Sequence, residues 1–220
     1  MKVKRFASCL VGCVLLSTPV WADTADQDAP VGKQAGTFMV RLRAIDVAPE
    51  DNSSSTSIGG RVHASDQFAP EADVSYFFTD HIAAELIAAT TRHSVRATGT
   101  SVGAVDVGST WVLPPTVTLQ YHFFPHKRFS PYVGAGLNAT FFYDASPSRP
   151  TVTHVSFRNG VGPAVQAGVD YNLTGHWFLN ADVKQIFLNT QAGANTVLGP
   201  VKAKTALDPL VAGVGVGYRF

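Results

Sequence analysis

Cysteine is almost absent from the sequence. The two that occur in 220 residues, Cys9 and Cys13, lie in an amino-terminal segment with the features of a secretory signal. The chain that remains after signal removal has no cysteine and so needs no disulfide. A phosphate-binding loop and a dinucleotide fingerprint are also absent from the sequence. No cofactor is expected.

An excess of charge of one sign and a long apolar run are missing as well. Removal of Lys2, Lys4 and Arg5 with the signal leaves 14 Lys and Arg against 16 Asp and Glu, a formal charge of about −2. This balance gives no reason to expect a nucleic-acid partner. After residue 22, no apolar run reaches the roughly 18 residues of a membrane-spanning helix. Barrel strands escape this limit, because only every second residue faces lipid.

The first 22 residues predict a signal peptide. They combine a basic start, an apolar run over residues 6–16, and Val20-Trp21-Ala22, which fits cleavage after Ala22. Residues 23–220 then form the mature domain, whose polar beginning, 23–36, is expected to be a mobile or loosely docked periplasmic tail. In the alternative, Leu10-Val11-Gly12-Cys13 is a lipoprotein processing box, but most of the apolar run follows that cysteine.

The last eleven residues, 210–220, alternate with a period of two. The even positions are all apolar and end in Tyr218 and Phe220, whereas the odd positions from 213 onward carry three glycines and Arg219. In a strand this gives one apolar face and one small or polar face. The pattern favours a transmembrane barrel strand, with the last strand of a water-soluble all-β domain as the alternative. The barrel assembly machinery is the expected partner of Tyr218 and Phe220.

Seven further segments alternate in the same way. The eight predicted strands are 37–47, 68–78, 82–91, 111–123, 131–143, 157–171, 177–188 and 210–220. The connections between them alternate long and short, which is the asymmetry of outer-membrane barrels. The aromatic residues at the short-turn ends of the strands are Tyr76, Phe78, Tyr121, Phe123, Tyr171, Trp177, Tyr218 and Phe220. The sequence therefore predicts an all-β fold, an eight-stranded antiparallel transmembrane β-barrel with four long extracellular loops and three short periplasmic turns.

Several segments resemble the OmpW family of bacterial outer-membrane proteins. They are LPPTVTLQYHF at 113–123, PYVGAGLN at 131–138, GVDY at 168–171, IAAELIAAT at 82–90, LDP at 207–209 and GYRF at 217–220. The resemblance covers all of the mature chain, and the motifs are specific as a set. It implies a barrel in the bacterial outer membrane whose narrow apolar lumen carries small hydrophobic molecules inward and releases them sideways through the wall. Some family members also serve as bacteriocin receptors, but the loops of this chain give no indication of that role.

Charged side chains are predicted on the inner face of the barrel. An eight-stranded barrel encloses only side chains or one small ligand, and an isolated buried ion costs several kcal/mol. These charges must therefore pair or be hydrated. In one interpretation they form ion-pair networks that hold the lower half shut, and in the other some of them form a polar floor that deflects a hydrophobic cargo into the bilayer. The inward charges are Arg41, Arg43, Glu71, Asp73, Glu85, Arg158, Asp170, Asp182, Lys184 and Arg219.

Apolar inward side chains are the candidate channel lining. They are Met39, Phe77, Ile87, Phe142, Phe178 and Ile186. Ile87 is the first choice, because the OmpW resemblance runs directly through it, whereas Lys184 on the inward face beside Ile186 departs from an all-apolar tunnel. Simple packing within a narrow barrel is the alternative for each. Pro114 and Pro115 cannot donate ladder hydrogen bonds, which makes a lateral opening plausible beside them.

The sequence gives little indication of a catalytic site or a metal site. His63, His93 and His154 fall in three different long loops and could hold a metal only if they converged. Ser65 and Asp66 lie next to His63, but adjacency in sequence does not indicate a catalytic triad. We therefore expect no metal and no enzyme activity, and the prediction is passive uptake of small hydrophobic ligands by a protein embedded among outer-membrane lipid and lipopolysaccharide. The alternative is a barrel with a sealed lumen that acts through its outer loops, in adhesion, stress resistance or attachment of phage and bacteriocins.

Overall fold

The computed structural model describes residues 32–50, 55–196 and 199–220. The predicted signal peptide and most of the predicted tail lie outside these ranges. Within them the chain forms the strands β1 Phe38–Ala48, β2 Ser55–Thr56, β3 Arg61–Ala64, β4 Gln67–Phe77, β5 Ile82–Ala89, β6 Thr91–Thr100, β7 Gly103–Leu113, β8 Thr116–His122, β9 Phe129–Pro147, β10 Val152–Phe157, β11 Gly160–Thr174, β12 Trp177–Ile186, β13 Asn189–Thr196, β14 Gly199–Ala206 and β15 Leu210–Arg219. The described residues include no helix that is long and apolar enough to cross a membrane.

Eight of these strands close into one antiparallel barrel, in the order β1, β4, β5, β8, β9, β11, β12 and β15. The first and last strands are neighbours, since Met39 of β1 stands opposite Arg219 of β15 and, on its other side, opposite Ser75 of β4. A closed ring satisfies backbone hydrogen bonds without an exposed sheet edge, which is the condition for strands to cross a bilayer. The predicted eight-stranded barrel is confirmed.

The alternation of the sequence becomes the alternation between lipid and lumen. On β1, Met39, Arg41 and Arg43 are buried in the lumen, whereas Phe38 and Leu42 are exposed on the outer wall. The same division holds along β15, where Val214 is 64% exposed. A water-soluble sandwich would bury such apolar rows against a second sheet. Here the rows face outward and form the surface that contacts the membrane.

The long extracellular connections contain strands of their own, which the sequence did not predict. Strands β6 and β7 occupy most of 92–109, and β13 and β14 occupy most of 189–204. The physical reason is continuation of the ladder. Thr91 of β6 pairs with Val112 of β7 in the same register in which Ile87 of β5 pairs with Thr116 of β8. A hairpin that begins from paired barrel strands extends them outward.

Three other details differ from the prediction: one strand boundary, the docking of the tail and the direction of Arg158. The predicted fourth strand, 111–123, is divided between β7 and β8, because Pro114 and Pro115 interrupt it. The predicted tail is not loosely docked at its described end, because Lys33 is fully buried and its backbone N–H donates to the carbonyl of Pro125 at 3.0 Å. Arg158, expected to face inward, is exposed just after β10.

A charge on the lipid-facing wall tests the orientation of the strands. Val214→Arg places a cation among lipid-facing side chains, and we expect it to lower the free energy of unfolding in lipid vesicles by about 2–4 kcal/mol. Val102→Arg, in the exposed turn between β6 and β7, is the matched control and should change it by no more than about 0.5 kcal/mol. Urea titration in vesicles measures both, and equal effects of the two substitutions would contradict a membrane-facing β15.

Candidate functional site

A buried ion-pair layer crosses the barrel near its middle. Its centre is Arg41, whose Nε lies 2.7 Å from Asp73 Oδ1 and whose Nη2 lies 2.7 Å from Glu85 Oε1. A third carboxylate, that of Asp170, lies 3.5 Å from Nη1. Nη2 also donates to the hydroxyl of Ser75 at 2.6 Å. The planar guanidinium thus joins carboxylates from three different strands, which a lysine could not do in the same geometry.

Arg43 extends this layer toward the extracellular side. Its Nη2 lies 2.8 Å from Glu71 Oε1 and 2.9 Å from Asp73 Oδ2. Lys184 Nζ lies 3.6 Å from the second oxygen of Glu71, and Asp182 lies 3.8 Å from Arg43. We call the layer the charged floor. Its members are the eight residues predicted for a polar floor: Arg41, Arg43, Glu71, Asp73, Glu85, Asp170, Asp182 and Lys184.

Lys33 joins the layer from the periplasmic end, and no pattern in the sequence predicted it. Its ammonium donates to Asp170 Oδ2 at 2.8 Å and to Ser130 Oγ at 2.7 Å, and it lies 2.8 Å from His122 Nδ1. The charged floor has three cations and five carboxylates, so this lysine supplies a positive charge that the layer lacks. A lysine in a polar segment belongs to no periodic pattern, and only the fold brings it to Asp170.

The lumen below the charged floor is filled by side chains. Met39, Phe77 and Phe178 pack there with Ala83 as a fully buried cluster. The inward glycines do not leave empty space. A Cβ at Gly217 would lie 2.2 Å from the ring of Phe178, so the glycine accommodates that ring. Three of the predicted channel-lining residues therefore pack at the periplasmic end.

An apolar cavity of about 100 Å³ lies above the charged floor. Phe142 and Ile186, both predicted as channel lining, contact it, and Glu71 and Lys184 form part of its base. Ile87 is buried but does not line the cavity; it is paired with Thr116, at the height where the charged floor begins. The structure therefore divides the predicted lining residues between the cavity and the packed lower lumen.

Threonine is the commonest polar residue of the cavity wall, yet the wall is apolar. The hydroxyl of Thr110 donates to the carbonyl of Tyr143 at 3.1 Å, and that of Thr116 donates to the carbonyl of Pro114 at 3.0 Å. The hydroxyl of Thr190 likewise donates to a backbone carbonyl at 2.6 Å. Because these hydroxyls are already hydrogen-bonded to the wall, a ligand meets mainly methyl groups.

His93 is the titratable side chain of the upper cavity wall. Its Nδ1 lies 2.7 Å from the carbonyl oxygen of Ser65 and its Nε2 lies 2.9 Å from the hydroxyl of Thr91. Burial lowers the pKa of His93 below its usual value, so the ring is neutral at neutral pH. The described residues contain no group of three His, Cys, Asp or Glu side chains arranged to hold a metal.

A second apolar cavity, of about 280 Å³, lies in the extracellular extension of the barrel. Four residues line both cavities: Val62, Val95, Ala192 and Ala203. We call this narrow region the waist. Two apolar cavities therefore lie one above the other over the charged floor, and Val62, Val95 and Ala203 pack as a buried cluster where they adjoin.

The wall has a gap beside the lower cavity. The β5–β8 ladder ends where Ile87 pairs with Thr116, and the β6–β7 ladder begins where Thr91 pairs with Val112. In the described structure, no ladder pair joins residues 88–90 to residues 113–115. The register is the same on both sides, so the missing pairs are those that Pro114 and Pro115 would make.

Ladder pairs are missing on the side of the two prolines that faces β5, but hydrogen bonds are present on the side that faces β9. Ala139 N–H donates to the carbonyl of Pro115 at 2.9 Å, and the side-chain amide of Asn138 donates to that of Pro114 at 3.0 Å. The proline segment is thus held by β9 but not by β5. Pro114 and Ala89, on opposite sides of the gap, both line the lower cavity.

Comparison with known proteins places this architecture. The OmpW family model matches residues 34–220. The chain is 42% identical over 219 residues to an uncharacterized outer-membrane protein, y4mB, of Sinorhizobium fredii, with 98% of this chain and 92% of that protein covered. It is 34% identical over 203 residues to outer membrane protein W of Vibrio cholerae, covering 87% and 93%.

Solved structures agree with the sequence comparison. The crystal structure of OprG from Pseudomonas aeruginosa superposes with a TM-score of 0.81 at 28% identity, covering 86% of this chain and 98% of that one. The solution structure of outer membrane protein W from E. coli gives 0.58 at 30% identity, covering 85% and 99%. All of these relatives are outer-membrane proteins. The chain is therefore a bacterial outer-membrane β-barrel, and it belongs to the OmpW family.

Proposed function

We propose that this protein admits small hydrophobic molecules from the extracellular side and releases them sideways into the outer membrane. The observation that carries the proposal is an apolar cavity that ends on a closed, charged floor. A hydrophobic molecule can enter through the waist, but it has no route down the barrel axis. The family resemblance implies the same direction of transport.

The charged floor blocks the axis for energetic reasons. An apolar molecule that passed through it would separate ion pairs already removed from water, and an unpaired buried charge costs several kcal/mol. Below the floor, Phe77 and Phe178 fill the remaining space. Lateral escape requires no such separation, because the gap beside Pro114 and Pro115 interrupts the wall at the height of the cavity.

The cavity wall limits the class of ligand. Its threonine hydroxyls and both nitrogens of His93 have partners within the protein, so a ligand gains no hydrogen bond by carrying polar groups. A cavity of about 100 Å³ is smaller than the apolar cavity of roughly 150 Å³ that accepts benzene in a well-studied engineered protein. Compact or thin hydrocarbons therefore fit best, and larger ones require the waist to widen.

Blocking the waist tests the entry route. Ala203→Phe places a ring between the two cavities, and we expect uptake of a radiolabelled hydrocarbon to fall to the level of cells that lack the protein. Ala212→Phe adds the same ring on the lipid-facing wall and should leave uptake unchanged. Undiminished uptake in Ala203→Phe cells would exclude the cavity as the route. Equal uptake by cells with and without the wild-type protein would favour a sealed barrel that acts through its extracellular strands.

Closing the gap tests lateral release. Pro114→Val with Pro115→Val restores the backbone donors that the ladder lacks, and the continuous register lets β5 and β8 pair through the gap. We expect uptake to fall while binding of the hydrocarbon to purified protein is retained. Amide hydrogen exchange at residues 88–90 should slow, which shows that the ladder has formed. Slower exchange with normal uptake would contradict release at this position.

Breaking the charged floor tests how tightly it is held. Arg41→Met leaves the carboxylates of Asp73, Glu85 and Asp170 without their shared partner, and we expect a loss of about 3–5 kcal/mol in the free energy of unfolding. Arg96→Met is the matched control, because Arg96 pairs with Asp106 on the exposed surface, where an ion pair contributes about 0–1 kcal/mol. Urea unfolding in vesicles measures both. Similar losses would show that the floor is hydrated and not a dry barrier.

A further inference from the structure

A row of polar and basic side chains crosses the outer face of the barrel above its apolar band. The backbone N–H of Arg158 donates to the carbonyl of Gln191 at 2.9 Å, and Gln191 is the register partner of Lys204. Arg158, directly after β10, therefore lies beside Gln191 of β13, which lies beside Lys204 of β14. Lys202 lies one row farther out on the same face of β14, opposite Gly193. All three cations are exposed.

Three residues of the row, Arg158, Gln191 and Lys204, line a polar pocket of about 340 Å³. Arg158 and Lys204 supply its charge, and Asn159, Asn189 and Gln191 supply amide groups. None of the residues that line it is acidic. In the described residues, no carboxylate lies within ion-pair distance of either cation. The carboxylate of Asp208, two residues beyond the pocket-lining Ala206, accepts the backbone N–H of Leu188 at 2.8 Å.

The pocket lies where the pairing between strands is interrupted, between the end of one ladder and the beginning of the next. The β10–β13 ladder ends where Phe157 pairs with Ala192, and the β11–β12 ladder begins where Ala164 pairs with Ile186. Between them, two backbone hydrogen bonds span the interval, Arg158 N–H to the carbonyl of Gln191 and Phe187 N–H to the carbonyl of Pro163. The wall is therefore indented here, with polar side chains around the indentation.

The height of the pocket matches the outer boundary of the membrane. Just below it, Val161 is 71% exposed and Phe187 is 45% exposed, and both belong to the apolar band. Extension of the β9–β11 register places Tyr143 level with residue 157. Tyr143 stacks on Trp111 with the ring centroids 6.3 Å apart, and such outward aromatic pairs are typical of a membrane interface. Arg158 therefore lies at the level of lipid headgroups, on the side of the long connections.

We propose that this pocket binds a phosphate group of a glycolipid in the outer leaflet. A phosphate at this height meets the fork of Arg158 and the point charge of Lys204, both of which favour phosphate oxygens. The amides donate the remaining hydrogen bonds. The acyl chains of the same lipid then lie along Val161 and Phe187, so one molecule satisfies both the basic pocket and the apolar wall beneath it.

Lipid binding to the purified full-length mature protein tests the proposal. Native mass spectrometry compares bisphosphorylated lipid A with lipid A from which both phosphates have been removed. We expect the wild-type protein to prefer the phosphorylated form. Arg158→Gln with Lys204→Gln should weaken that binding by about tenfold or more, given the contribution of each basic residue near a membrane surface. Arg158→Lys with Lys204→Arg should retain it.

A pair of equal charge change serves as the control. Lys127→Gln with Arg128→Gln removes two exposed cations from a periplasmic turn and should leave lipid A binding unchanged. Equal binding of the two forms of lipid A by wild-type protein would overturn the proposal, as would undiminished binding by the Arg158 and Lys204 double variant. Displacement of lipid A by inorganic phosphate at the same concentration would assign a free-phosphate site instead. If the double variant fails to fold, Lys204→Gln alone and the wild-type comparison still decide.

Discussion

Closure of the backbone hydrogen-bond ladder is the constraint on which the rest of the structure depends. In lipid, a strand with an unpaired edge is unstable, because no water is present to hydrogen-bond its N–H and C=O groups. The ring from β1 to β15 meets this requirement around its circumference. The interruption beside Pro114 and Pro115 is therefore costly in that setting, and the lateral release proposed above gives a reason for its position at the level of the cavity.

The charged floor depends on the same ring, because its members come from different strands. Arg41, Asp73 and Glu85 lie on the neighbouring strands β1, β4 and β5, and closure of the ring brings Asp170 of β11 to them. Their mutual pairing then closes the lumen, since removal of any partner leaves a buried charge. Lys33 adds a contact from outside the strands. The floor thus couples the periplasmic end of the barrel to its middle.

Sequence periodicity predicted the fold and the residues of the inner face, but it did not predict how far along the barrel axis each inward residue lies. Alternation correctly assigned Arg41, Glu85 and Asp182 to the lumen, because a strand has only two faces. Met39 and Ile186 are both apolar residues at inward positions of a strand. Met39 nevertheless packs below the charged floor, whereas Ile186 contacts the cavity. Lys33 could not be predicted, because it belongs to no strand. The extracellular strands were missed because hairpin extension depends on the register of the barrel beneath them.

Side-chain volume, rather than polarity, determines where the lumen is open. In the lower half, the inward positions carry Phe77, Tyr132 and Phe178, and the last two rings fill the space that Gly168 and Gly217 leave. In the upper half, small inward residues such as Ala89 and Thr110 alternate with larger ones such as Phe142 and Ile186. An eight-stranded ring encloses little more than its own side chains, so the small residues among them leave a cavity above the packed lower lumen. The boundary between the two halves coincides with the charged floor, and the gap at Pro114 lies just above it.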